Sequence, residues 1–390
     1  MYKLTITLKQ HTPLIHFQHE QDGATLRATE VKPKLDRFIK NRLRELDKSL
    51  YDEYKDLIDL IPDKTNKIVS PYKLSIVQEE NTTDKFVIAS FIPQFTADAY
   101  RQGYNVLDRT PYFADNKCIK DKNTKDAKLG IGMKTDKFLS VTFGFRDSRW
   151  EDFIKRVIPY FFASTNFGAR QSKGFGCFYP QNISQSEFEK YLRSNSKIAF
   201  KSKPQKNLYA VYSEIDLLTK KLKSGTQGRD GELRKYFNRL RPVVEWEKPA
   251  IQKQISELLG QNFRIDSKTN NRQFLRACLG LPELYEYPRN NGMKVSIEHL
   301  PQSDAGLDKK IERYPSPILF KVYDNTVYLI LDSNITEYQS DILAEDFKFE
   351  FKDRNRTYQQ SIHLSTPEKF DIEDFINTAM NSQPNWRELT

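Results

Sequence analysis

Three short segments carry residue types that can do chemistry. In FGARQSKGFG (167–176), Gly168, Gly174 and Gly176 surround Arg170 and Lys173. Glycines let the backbone approach a ligand closely and the two cations supply charge, a combination suited to a phosphate backbone. A glycine loop between helix and strand can equally be a mere tight connection. This one lacks the GxxxxGKS/T spacing of a P-loop, so nucleotide hydrolysis is not supported. Phe175 can stack on a base or pack beneath the loop, and packing is the commoner fate of a lone Phe between glycines.

The second segment, ATLRATEVKPKLDRF (24–38), places Arg27, Lys32, Lys34 and Arg37 at a loop-to-helix junction, where backbone amides and cations together can hold phosphates. The alternative is a solvated helix face with snorkelling lysines. The third, HTPLIHFQH, gathers His11, His16 and His19. They invite a metal or a proton-transfer role in RNA cleavage. Their spacing does not match a helical HExxH site and no cysteine or carboxylate set completes a zinc site, so a structural or RNA-contacting role leads. Asp98 and Asp108 are loop acids, and most loop acids are solvated.

The elements that must position these segments follow from periodicity. Leu4, Ile6 and Leu8 alternate as a strand, and from Thr29 the apolar residues Val31 to Leu50 fall three or four apart, predicting a long amphipathic helix with Pro33 in its first turn. Residues 72–77 and 86–92 read as a hairpin around EENTTD. Residues 108–137 form a polar, lysine-rich excursion. A strand at 139–145, a helix from Trp150 to near Thr165, the glycine loop and a short run at 177–179 complete an order close to the split βαβ pattern. The second half adds a helix-prone stretch at 186–194, a helix at 272–279 and strands at 293–299 and 318–331, the last pair around an Asp-Asn turn.

Composition bounds the class. The chain has 390 residues, 38% of them hydrophobic, and a formal net charge of +10. That is globular, sized for two or three domains, and points to polyanionic partners, nucleic acid first. Residues 200–241 interleave Lys and Arg with Tyr209, Tyr212, Tyr236 and Phe237, either as a stacking surface or as an ordinary charged helix face, and an acidic tail follows Asp332. Cys118, Cys177 and Cys278 form no CxxC pair, so neither a disulfide framework nor a cysteine zinc site is expected, and a reducing cytoplasm fits. No apolar run is long enough for a membrane span.

Taken in order, these segments resemble the RAMP superfamily of CRISPR systems, specifically the Cmr-type subunit at the guide's 3′ end in type III-B effectors. TPLIHFQ with LRATEVKPKLDR resembles that family's opening, FGARQSKGFG its glycine loop, and LRACLGLP and RYPSPILFKV its downstream segments. Two departures stand out: His16 to His19 replace paired glycines, and Pro33 replaces a helix-start glycine. The resemblance implies an α+β chain of two ferredoxin-like, RRM-like domains, 1–199 and 200–390. It also implies antiviral RNA binding without catalysis, metal or cofactor, and CRISPR guide RNA, target single-stranded RNA and other RAMP subunits as partners. The contacts would be Arg27, Lys32, Lys34, Arg37, Gly168, Arg170, Lys173, Gly174, Phe175 and Gly176. The rival is a metal-independent endoribonuclease that matures CRISPR transcripts, using one of the three histidines. Against it, the glycine loop lies mid-chain, whereas the processing enzymes resembled carry theirs near the C-terminus.

Overall fold

The computed structural model describes residues 1–14, 26–62, 70–78, 83–87, 105–106, 119–120, 128–129, 132–136, 138–226, 228–261, 271–281, 284–287, 290, 293–301, 311, 314–332, 341–352 and 359–389. His16, His19, Asp98 and Asp108 lie outside them.

The first module runs β1 (Tyr2–Gln10), α1 (Ala28–Asn41), β2 (Tyr72–Gln78), β3 (Phe138–Phe145), α2 (Arg149–Ser164) and β4 (Phe178–Pro180). Its antiparallel sheet has the order β2-β3-β1-β4, the arrangement of a split βαβ pattern. Period-2 alternation puts Leu139, Val141, Phe143 and Phe145 of β3 and Leu4 and Leu8 of β1 on the buried face. On α2, Trp150, Phe153, Ile154, Val157, Ile158, Phe161 and Phe162 recur at helical spacing and are all buried in the same core. Each such side chain stabilises the fold by about 1.5–3 kcal/mol relative to exposure.

The chain order then repeats. After α3 (Gln185–Ser194), started by a Ser184–Glu187 capping box, come β5 (Ser196–Ser202), α4 (Leu208–Lys223), β6 (Ile318–Tyr323), β7 (Thr326–Asp332), α5 (Ile372–Met380) and β8 (Trp386–Glu388). The second sheet has the order β6-β7-β5-β8, again second-third-first-fourth. Asp324 and Asn325, both at positive φ (41° and 64°), make the turn between β6 and β7 that the Asp-Asn pair predicts. Ala199, Tyr323, Tyr328 and Ile330 of this sheet join the core of the first module.

Two compact units result: 1–216 with 319–332 and 385–390, and 217–318 with 333–384. The expected boundary at 199/200 falls inside β5, because that strand is hydrogen-bonded on both sides, to β7 and β8. The second unit holds a four-stranded antiparallel sheet, Leu284–Tyr287, Met293–Leu300, Asp346–Lys352 and Gln359–Ser365, over a core including Ile251, Phe274, Val295, Phe347 and Phe349. The acidic tail thus supplies two of these strands, Asp346–Lys352 and Gln359–Ser365.

Several local expectations need correction. Among the described residues the expected hairpin is not seen: β2 pairs with β3, where Leu74 and Ile76 stand opposite Phe143 and Val141, while Thr83–Val87 pairs with Gly132–Asp136 in another sheet; the rest of the expected second strand, 88–92, lies outside the described residues. The polar excursion therefore contains strands. The long first helix begins at Ala28, placing Pro33 in its second turn, and breaks after Asn41. Further on, Asp47 caps a fresh helix, Lys48–Glu53, by accepting the Leu50 N–H. In 272–279, Arg272–Gln273 pairs in parallel with Glu245–Trp246, leaving only a 3-10 turn at Leu275–Leu279.

Gly176 sits at φ +65°, and a Cβ there would lie 2.0 Å from the Phe167 carbonyl oxygen, a backbone atom that cannot swing aside. We expect Gly176→Ala to destabilise the protein by about 3 kcal/mol or more. Gly228→Ala, also at positive φ but with nothing within 4 Å of the added carbon, should cost only about 1 kcal/mol. Urea unfolding of the two variants checks the contrast.

Candidate nucleic-acid interface

The glycine loop leaves α2 at Thr165 and enters β4 at Phe178, and its ends are closed by the chain's own groups. The N–H of Phe167 donates to the Gly176 carbonyl (3.1 Å), that of Gly176 to the Pro13 carbonyl (2.8 Å), and that of Cys177 to the Thr12 hydroxyl (2.9 Å). The TP pair after β1 therefore pins the loop. Asn166 fastens its centre, donating from Nδ2 to the carbonyls of Gln171 (2.6 Å) and Phe320 (2.9 Å), while the Cys177 thiol donates to Asn166 Oδ1 (3.2 Å).

The two basic segments meet here. Glu30, in the first turn of α1, accepts the Gly168 N–H (2.8 Å) and the Lys34 ammonium (3.1 Å) on the same carboxylate oxygen. Lys34 Nζ also donates to the Asn166 carbonyl (3.1 Å) and stands 4.8 Å from the Phe167 ring centroid. Burial pushes the Lys34 ammonium below its ordinary range, against the pull of Glu30.

The expected contacts divide accordingly. Gly168 and Lys34 are structural members of this junction. Lys32 pairs with Asp36 (2.6 Å) over the Tyr72 ring. Arg27 and Arg170 are half-buried, Arg170 at φ +59°, and Arg37 is exposed. Lys173 is partly buried and bridges backbone-to-backbone with Phe320. Burial pushes its pKa down to about 8 despite Asp216. Gly174 is at φ +76°, its N–H donating to the Gln171 carbonyl and its missing side chain making room for Ile215. Phe175 is fully buried and stacked on Tyr212, with ring centroids 4.4 Å apart, so it packs and is not placed to meet a base. Tyr212, Tyr236 and Phe237 of the basic run are buried too, which leaves that run a charged helix face and not a stacking surface; the Tyr209 side chain lies outside the described residues.

His11 is almost wholly buried, stacked on Tyr323 at 4.5 Å, and its Nδ1 accepts the Asp324 N–H (3.2 Å). Burial pushes its pKa down, so the ring is neutral at neutral pH. The adjacent Asp324 carboxylate is held by Lys9 at 2.5 Å. Sequence reasoning missed Glu30, Asn166 and Lys321. Lys321 is fully buried and donates to the carbonyls of Phe162 (2.8 Å) and Thr165 (2.9 Å), capping the C-terminal end of α2 where a cation meets the helix dipole. Only its place in an otherwise apolar strand, ILFKVY, hinted at it.

Beside paired sheets of one order, a glycine loop between helix and strand, and a basic helix start bonded to that loop, the family models assign the chain to the RAMP-type proteins of the Cmr class. The Cmr1 N-terminal domain matches residues 1–226 and the Cmr1 C-terminal domain residues 228–389. The chain belongs to the Cmr1 family. No curated protein matches it. Among solved structures, it is similar to the crystal structure of Cmr1 from Pyrococcus furiosus in its apo form, at 11% identity and a TM-score of 0.40 over 100% of this chain and 99% of that one. Among the described residues, no helix is long and apolar enough to cross a membrane.

Burial pushes the Lys321 ammonium down to about 8, so the folded protein gives up this proton before the unfolded chain does. Its contribution to stability therefore rises as pH climbs from about 8 toward 10.5. In Lys321→Met, unfolding free energy measured at pH 8 and pH 10 should gain less than in the parent, by up to about 2 kcal/mol. An identical pH dependence would count against the assignment.

Proposed function

We propose that this Cmr-complex subunit is a noncatalytic, cytoplasmic RNA-binding protein of antiviral defence, contacting guide RNA and its single-stranded target while docked on other RAMP subunits. The observation that carries the reading is the junction of the two basic segments: Glu30 and Lys34 of α1 bonded to Gly168 and Asn166 of the glycine loop. Exposed Arg37 and half-buried Arg170 are the cations assigned to phosphates, while Lys34 is held within the junction and Lys32 is paired with Asp36. Base identity would be read by guide pairing, with the protein supplying backbone contacts.

Among the described residues, His11 does not favour the processing-nuclease reading. A general acid or base must reach the proton it moves, whereas the His11 ring is stacked away and its Nδ1 lone pair is taken.

Arg37→Ala with Arg170→Ala should weaken binding of labelled single-stranded RNA about tenfold for every sequence tried. The slope of log K against log salt should fall by about 1.4, near 0.7 per lost phosphate contact. Unchanged affinity and slope would remove the site assignment. Incubation of the protein with CRISPR-repeat RNA in EDTA should leave the RNA intact; site-specific cutting abolished by substituting His11, His16 or His19 with Ala would replace this reading with the nuclease.

A further inference from the structure

The first sheet packs one face on its core and also covers the other face where β1 meets β4, at Tyr179, leaving the part of that second face over β2 and the start of β1 exposed. Side chains on that outer face line up across the strands in rows: Lys73, Gly144 and Lys3; Ser75, Thr142 and Thr5; Val77, Ser140 and Thr7. Lys3, Thr5, Lys73, Ser75 and Val77 are exposed, and the Thr5 and Thr142 hydroxyls are bonded to one another at 3.2 Å. Arg146, one residue beyond β3 and two along from Gly144, is exposed at the same end. No acidic residue falls on these rows.

Many cations of the same unit are paired with acids: Lys9 with Asp324, Lys32 with Asp36, Lys34 with Glu30, Arg149 with Asp147, Lys155 with Glu151, Arg156 with Glu53 and Lys201 with Glu189. Lys3, Lys73 and Arg146 form no ion pair with any described residue. Lys3 and Lys73 stand two strands apart, about 10 Å between backbones, with Gly144 between them and the Met1 side chain lying over that glycine.

The geometry points to this face as a second contact surface for the sugar–phosphate backbone of single-stranded RNA, separate from the glycine loop. It rests on the RNA-binding reading above and adds where a further length of strand would lie. Three cations at one end meet phosphates, and the hydroxyl row beyond them offers donors and acceptors to phosphate oxygens and ribose 2′-hydroxyls. The rows carry no aromatic side chain, so the surface lacks a stacking platform and its contacts are indifferent to base identity.

The test uses the full chain and a fluorescein-labelled 20-nucleotide oligo(U), titrated across a range of KCl concentrations. Relative to the parent, Lys3→Ala/Lys73→Ala/Arg146→Ala should bind about tenfold more weakly, with a salt slope lower by about 2, near 0.7 per cation. All three side chains are exposed, so thermal unfolding should be unchanged, and it serves as the folding control. Parent-like affinity and slope in the triple variant, with Arg37→Ala/Arg170→Ala still weakened, would overturn this surface and leave the first site standing. No oligo(U) binding by the parent would overturn the RNA reading itself. Polyglutamate binding lost in the triple variant, with oligo(U) binding intact, would reassign the face to an acidic protein.

Discussion

One carboxylate oxygen organises the first unit's functional end. Glu30 accepts from the Gly168 N–H of the loop and from Lys34 of its own helix, so α1 and the loop, far apart in sequence, share one electrostatic joint. A half-buried carboxylate is stable only when its acceptors are used, and here one oxygen takes both a peptide donor and an ammonium. Lys34 extends the joint to the Asn166 carbonyl, and Asn166 carries it to the Phe320 carbonyl of β6. The loop's conformation is thereby over-determined, which is how positive φ at Gly168, Arg170, Gly174 and Gly176 is tolerated in so short a stretch.

The same joint explains why so many of the region's lysines face inward. Lys34, Lys173 and Lys321 all have their ammonium groups disfavoured by burial. Lys34 and Lys321 spend their donors on backbone carbonyls at helix and loop ends, where no N–H of the regular ladder can reach. A basic excess in composition is therefore a poor guide to surface potential in this chain, since part of it is internal scaffolding and part is cancelled by neighbouring acids.

Much of the fold was legible because it is written in period. β1, β3, α2, β6 and β7 each carry an apolar repeat of the right length, and the Asp-Asn turn between the last two needs only local backbone preference. What failed depended on partners and caps elsewhere in the chain: β2 pairs with β3 while Thr83–Val87 pairs with Gly132–Asp136, and the long first helix ends at Asn41, with Asp47 capping a later piece. At the site, glycine spacing marked the loop and the LRA segment marked the helix start, but not that Lys34 and Phe175 would be consumed in holding them. That outcome depends on Glu30 and on Tyr212, whose types alone announce nothing.

The second sheet has a strand order like the first but is threaded differently. Its strands come from 196–202, 318–323, 326–332 and 386–388, and β8 closes against Phe200, Lys201 and Ser202 only once residues 386–388 exist. The first sheet is complete once residue 180 exists. During synthesis, then, β5 is left with an unpaired edge while some 180 further residues emerge, at about 5–20 residues per second. For roughly 10–40 seconds the nascent protein presents a strand edge open to wrong pairing. A chain whose two sheets look alike when finished is, while being made, one whose second sheet waits on a strand far downstream of the first.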